Sequence, residues 1–287
     1  TWHGQNVSLG TSTVRQFGSS NAFRCHYRRG STLNSRADLG SIHCRFNING
    51  KIPGDNITNV FHKTPDIQEE KTNRVAMFGD MGQFHALQAG PTAICHYSPM
   101  ALEYWRITSL KTDLYFNEKL AKVKVLRFNG KPVESVPFSS PDPGVITIEE
   151  GEVFLAIHPL ICRHRERQAA VTIERINHFL VISFFNYEGP SIELTHHELA
   201  LLGNGFVFEV RDAADSSFDV FEAQMLDAKI LDQIYANTRR IHYFREDLRL
   251  SLGVCPHTDS VMFESVNGLE PKRPQFSYNG KSQLDLP

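Results

Sequence analysis

The feature that most constrains this chain is an apolar–polar alternation with a period of two, recurring in short runs along most of its length. That period sends successive side chains to opposite faces of an extended backbone, so each run describes a strand with one face turned to a core. Ile42, Cys44, Phe46 and Ile48 alternate with His43, Arg45 and Asn47, and Asn49-Gly50 then supplies a turn. The segment 121–128 reads the same way through Val123 and Val125, and it stops at Asn129-Gly130, a dipeptide that tolerates positive φ in tight hairpins. Val145-Ile146-Thr147-Ile148 follows the turn composition of Pro141-Asp142-Pro143-Gly144. Further strands are expected at 153–157, 170–176, 179–185, 206–210, 248–252 and 261–266, the last closed by Asn267-Gly268.

Two short helices interrupt the pattern. One starts at Ser216 or Ser217, whose hydroxyl can cap, and carries Phe218, Phe221, Met225 and Leu226 along one stripe. The other is a turn from Thr195, with Glu198 three residues on and Gly203 as a stop. Strands in series without strand–helix alternation exclude a parallel sheet. The expected fold is therefore all-β, a large antiparallel β-sandwich with one or two short helices, formed as one domain over 1–287. A candidate subdivision falls near 141–144.

A chain of 287 residues buries a core without needing disulfides or metals. Its net charge of -2 gives no basic excess for nucleic acid, and no apolar run reaches the roughly 18 to 20 residues of a membrane-spanning helix. Neither nucleic acid nor a membrane is an expected partner. The start, Thr1-Trp2-His3-Gly4, lacks an initiator Met, and we expect a processed product or part of a longer protein. Cys25, Cys44, Cys95, Cys162 and Cys255 show no paired spacing and are expected as mostly buried thiols. The sequons Asn6-Val7-Ser8 and Asn56-Ile57-Thr58 permit glycosylation in a secretory pathway.

Several passages, in order, resemble the sandwich half of heparinase II/III-like polysaccharide lyases, in which a toroid of paired helices precedes a large β-sandwich. They are Val7-Ser8-Leu9-Gly10-Thr11-Ser12 with Phe17-Gly18-Ser19, then the stretch 82–94, the stretch 151–160, and Ser217-Phe218-Asp219-Val220-Phe221. The resemblance covers about three quarters of the chain and excludes the toroid. It implies one wall of a cleft for a uronate-containing polysaccharide, β-elimination as the chemistry, a toroid of the same protein as partner, a secreted or periplasmic setting, and room for a structural divalent ion. A non-catalytic sugar-binding or structural sandwich is the alternative, and an accessory domain of a glycoside hydrolase a second.

Elimination next to a uronate carboxylate needs a neutral His or Tyr base and a group that stabilises developing charge. The densest supply is His85, His96, Tyr97 and Tyr104, the catalytic candidates, with Trp105 as a stacking platform and Arg106 as a carboxylate partner. Strand alternation alone also enriches aromatics, so packing is the competing account of the same residues. The adjacent residues of His196-His197-Glu198 diverge by about 100° on a helix and cannot share one ion, which leaves a capping role. No metal site and no cofactor is assigned. Arg163-His164-Arg165-Glu166-Arg167 could meet an anionic sugar or form a solvated hairpin tip. Phosphate loops and the Gly-x-Ser-x-Gly elbow are missing, which disfavours nucleotide cofactors and elbow-type serine hydrolysis.

Overall fold

The computed structural model describes residues 2–3, 7–11, 23–28, 39–50, 82–99, 106–118, 123–160, 169–193, 204–235, 238–255, 260–271, 276–278 and 281–283. Tyr104, Trp105, the 163–167 run, Cys162, the His196-His197-Glu198 turn with its expected helix, and the sequon at 56–58 lie outside them.

The described chain is an all-β sandwich of antiparallel sheets with one helix. An eight-stranded sheet runs in the order β1 (Trp2–His3), β2 (Val7–Thr11), β3 (Phe23–Arg28), β4 (Leu39–Ile48), β7 (Arg106–Asn117), β14 (Phe179–Glu193), β13 (Val171–Ile176) and β10 (Phe138–Ser140). A seven-stranded sheet runs β5 (Gly82–Ala89), β6 (Thr92–Pro99), β15 (Asn204–Asp212), β12 (Val153–Pro159), β11 (Ile146–Glu150), β8 (Val123–Phe128) and β9 (Lys131–Pro132). A four-stranded meander follows, β16 (Lys229–Tyr235), β17 (Thr238–Arg245), β18 (Leu248–Cys255) and β19 (Ser260–Val266), and a small hairpin of β20 (Phe276–Tyr278) and β21 (Lys281–Gln283) ends it.

The first two sheets face each other across an apolar layer. Leu114, Phe116, Ile173, Leu180, Ile182 and Phe184 come from one side, and Ile146, Ile148, Leu155, Ile157, Phe206 and Phe208 from the other. The alternation that named these strands is the alternation that fills this layer. The strand expected at 179–185 extends to Glu193 because β7 offers it a partner over that whole length, with register shifts near Asn186 and Gly189. The turn at Pro141–Gly144 carries the chain from β10 in the eight-stranded sheet to β11 in the seven-stranded one.

Three Asn-Gly pairs make the turns that the sequence implies, and those at 129–130 and 267–268 bring the chain back on itself. Asn49, Asn129 and Asn267 have φ of 53, 50 and 52°, and the glycines after them 75, 75 and 83°. Positive φ at both central residues matches the right-handed twist of the flanking strands.

The meander covers the other face of the seven-stranded sheet. Ile241, Tyr243, Leu250, Leu252 and Val254 pack on Leu87, Ile94, Leu160 and Val207. Beside it lies α1 (Phe218–Asp227), capped by Ser217, whose Oγ accepts from the Val220 backbone N at 3.4 Å. The helix buries Phe218, Phe221 and Met225 on Phe154 and Ala156 of β12. The seven-stranded sheet is thus the middle of three layers.

Candidate functional site

The β5–β6 hairpin places the sequence candidates. His85 and His96 are opposite one another in its register, so both point to the face covered by the meander. Both are fully buried, with ring centroids 6.5 Å apart and planes 25° from parallel. Tyr97, the next residue along, alternates to the other face and enters the apolar layer at 1% exposure. Arg106 opens β7 in the eight-stranded sheet, exposed, and pairs with Glu193 at 3.1 Å. The structure therefore unites His85 with His96 and separates Tyr97 and Arg106 from them. No face of His85, His96 or Tyr97 is open to a polymer.

What accompanies His96 was not singled out in the sequence. Arg239 of β17 reaches across the interface to within 3.1 Å of the His96 Nε2 and is itself 1% exposed. Its fork is held by both oxygens of Asp232 on β16, at 2.9 and 2.6 Å. Burial, then the Arg239 charge, then His85 hold His96 well below the ordinary imidazole range.

A second polar cluster lies in the same interface. Glu209 of β15 is buried against Arg245, accepts from the Tyr243 hydroxyl at 3.0 Å, and meets Arg211 at 3.3 Å. Burial raises the Glu209 carboxyl above its ordinary range, opposed by Arg245 and Tyr243. Burial and the Glu209 charge raise the Tyr243 hydroxyl, which therefore stays protonated at neutral pH. His158 of β12 lies edge-on to the Tyr243 ring at 5.6 Å, and burial lowers it to about 4. A cleft of about 370 Å³ opens above this cluster, between α1 and the β17–β18 turn, lined by Arg211, Gln224, Asp227, Arg245 and Asp247. The two guanidiniums on its floor are already engaged by Glu209, Gln224 and Asp247.

The open surface is the outer face of the meander. Its register sets Gln233, Arg240, Gly253 and Phe263 in one cross-strand row, Leu231, His242, Ser251 and Ser265 in the next, and Lys229, Phe244 and Arg249 in a third. A side chain at Gly253 would collide with the Phe263 ring, so glycine lets that ring lie flat on the sheet. His242 is near-parallel to Phe244 and to Phe263, at 18 and 22° with centroids 6.0 and 6.1 Å away, and its Nδ1 is 2.9 Å from the Ser251 Oγ. The Arg240 guanidinium sits 5.0 Å from the Tyr235 ring and 5.9 Å from that of Phe263. Tyr235, Arg240, Phe263, His242 and Phe244 form one string of planar groups across the sheet. Every charged side chain in the three rows is basic: Lys229, Arg240 and Arg249.

Among the described residues no group of three or more His, Cys, Asp or Glu is arranged to hold a metal ion, and no helix is long and apolar enough to cross a membrane. No family model matches the chain, and the searches of curated proteins and of solved structures found nothing similar to it. The likeness to heparinase II/III-like lyases therefore rests on the sequence passages alone.

Proposed function

We propose that this chain binds an acidic polysaccharide on the outer face of its four-stranded sheet, as the β-sandwich portion of a polysaccharide lyase-like protein. The observation that carries this is the string of planar groups from Tyr235 to Phe244, whose three cross-strand rows carry the basic side chains Lys229, Arg240 and Arg249. Flat apolar rings suit the C–H faces of pyranose residues, and arginine forks suit the carboxylates between them. In this reading the sandwich is one wall of a substrate cleft. His85, His96 and Tyr97 are enclosed, so none of the three abstracts the proton in a β-elimination, and the second wall of the cleft is a helical toroid of the same protein.

The same enclosure favours a second reading, a non-catalytic binding module. Electrophoresis of the chain through gels containing a polyuronate or a neutral glucan tests the binding. Retardation by the polyuronate, relieved in Tyr235→Ala and Arg240→Gln, is expected; equal mobility in all gels would end the proposal. Ultraviolet detection of unsaturated uronate then separates the two readings. Product formed by the full-length protein supports the lyase, and retention of sugar without product leaves the module.

A further inference from the structure

We propose that the four-stranded sheet is an acid-releasable layer: protons taken up by His96 and His158, both enclosed beneath it, undock it while the two-sheet sandwich below stays folded. The inference rests on the interface and holds whether or not the outer face binds sugar.

The geometry is asymmetric in a way that permits a partial opening. The layer between the eight- and seven-stranded sheets is built mainly from aliphatic and aromatic side chains, with Cys44, Cys95, Tyr97 and Thr112 among its polar members. The layer under the meander holds His85, His96, His158, Glu209 and Arg239, all buried. The groups facing His96 are His85 from β5 and Arg239 from β17, with Asp232 of β16 behind the arginine. Facing His158 is Tyr243 of β17, with Glu209 of β15 and Arg245 of β17 beyond its hydroxyl. On the α1 side Glu222 is turned away, toward Arg127 and the Thr147 hydroxyl at 2.7 Å.

A proton on His96 therefore places a second cation 3.1 Å from the Arg239 guanidinium in a fully buried site. A proton on His158 charges a ring whose Nε2 has no hydrogen-bond partner among the described residues. Undocking hydrates both imidazoles.

The sign follows from linkage. The docked sheet holds His158 at about 4, and the released ring returns to its ordinary 6.5. The contribution of His158 to docking is fully present above 6.5 and is lost as pH falls from 6.5 to about 4. His158 alone raises the undocking constant by about a hundredfold between pH 7 and pH 4, and His96 adds to it in the same direction. The Glu209 carboxyl, raised by burial, works in the opposite sense because the docked state takes up its proton more readily.

Amide hydrogen exchange of the full chain at stepped pH, corrected for intrinsic rates, reads the event. We expect residues 239–254 to lose at least tenfold of their protection between pH 7 and pH 4 while residues 180–184 keep theirs. Loss of both segments together, or of neither, overturns the proposal and needs no variant. In His158→Gln, which cannot titrate, the acid response of 239–254 shrinks at least tenfold; an unchanged response in that variant, folded at pH 7, also overturns it.

Discussion

The seven-stranded sheet shows what one set of strands can do with its two faces. Toward the eight-stranded sheet it presents Ile148, Leu155, Ile157, Phe206 and Phe208, and the contact is made by shape and apolar area. Toward the meander the same strands present His96, His158, Glu209 and Arg211, residues that suit a solvated face but are covered by a third layer. Apolar burial stabilises the first layer directly. The second adds to its apolar contacts a set of buried polar and charged groups, and there an ion that loses its partner costs far more than the pair contributes. The first interface holds few titratable groups and the second holds several, which makes the second the place where stability depends on pH.

The comparison can be broken by substitution. The largest effect is expected in the first layer, where Phe208→Ala removes a fully buried ring and costs roughly 3–5 kcal/mol, read as a fall in the urea midpoint. In the second layer Asp232→Ala strands Arg239 and costs about 3 kcal/mol, whereas Asp232→Leu with Arg239→Met stays within about 1 kcal/mol of the native chain, because hydrophobic replacements of a buried pair leave no charge to solvate. A double that is as unstable as the single would mean that the pair fixes the docking geometry of the meander. Ser217→Ala removes the cap of α1 and costs about 1 kcal/mol by thermal melting, without altering the apolar layer. The smallest effect on stability, within about 0.5 kcal/mol, is expected for Arg240→Gln, since its guanidinium lies on an exposed face, although the same change relieves retardation by a polyuronate.

The first layer was legible in the sequence apart from β7, and of the meander above the second only β18 and β19 were. Val153–Ile157 and Phe206–Phe208 announce themselves because both faces of these strands are covered, which leaves unbroken apolar runs. In β17 the inward set is Arg239, Ile241, Tyr243 and Arg245 and the outward set includes Phe244, so the alternation that marks a strand is cancelled. Neither β16 nor β17 was expected, and the platform they carry was missed with them. His85 and His96 were noticed as chemistry-bearing residues, and the hairpin does bring them together. Their enclosure depends on the meander, whose register no local pattern reveals. A usable signal was present at 239–245, where arginine and aromatic residues interleave in a stretch with strand neighbours on either side.

The most direct test of the account is a two-dimensional NMR titration of the full chain with an acidic tetrasaccharide. The account predicts shifts clustered at Gln233, Tyr235, Arg240, His242 and Phe263, with Arg106 and the Arg211–Arg245 cleft silent. Shifts confined to that cleft, or none at saturating sugar, would contradict it.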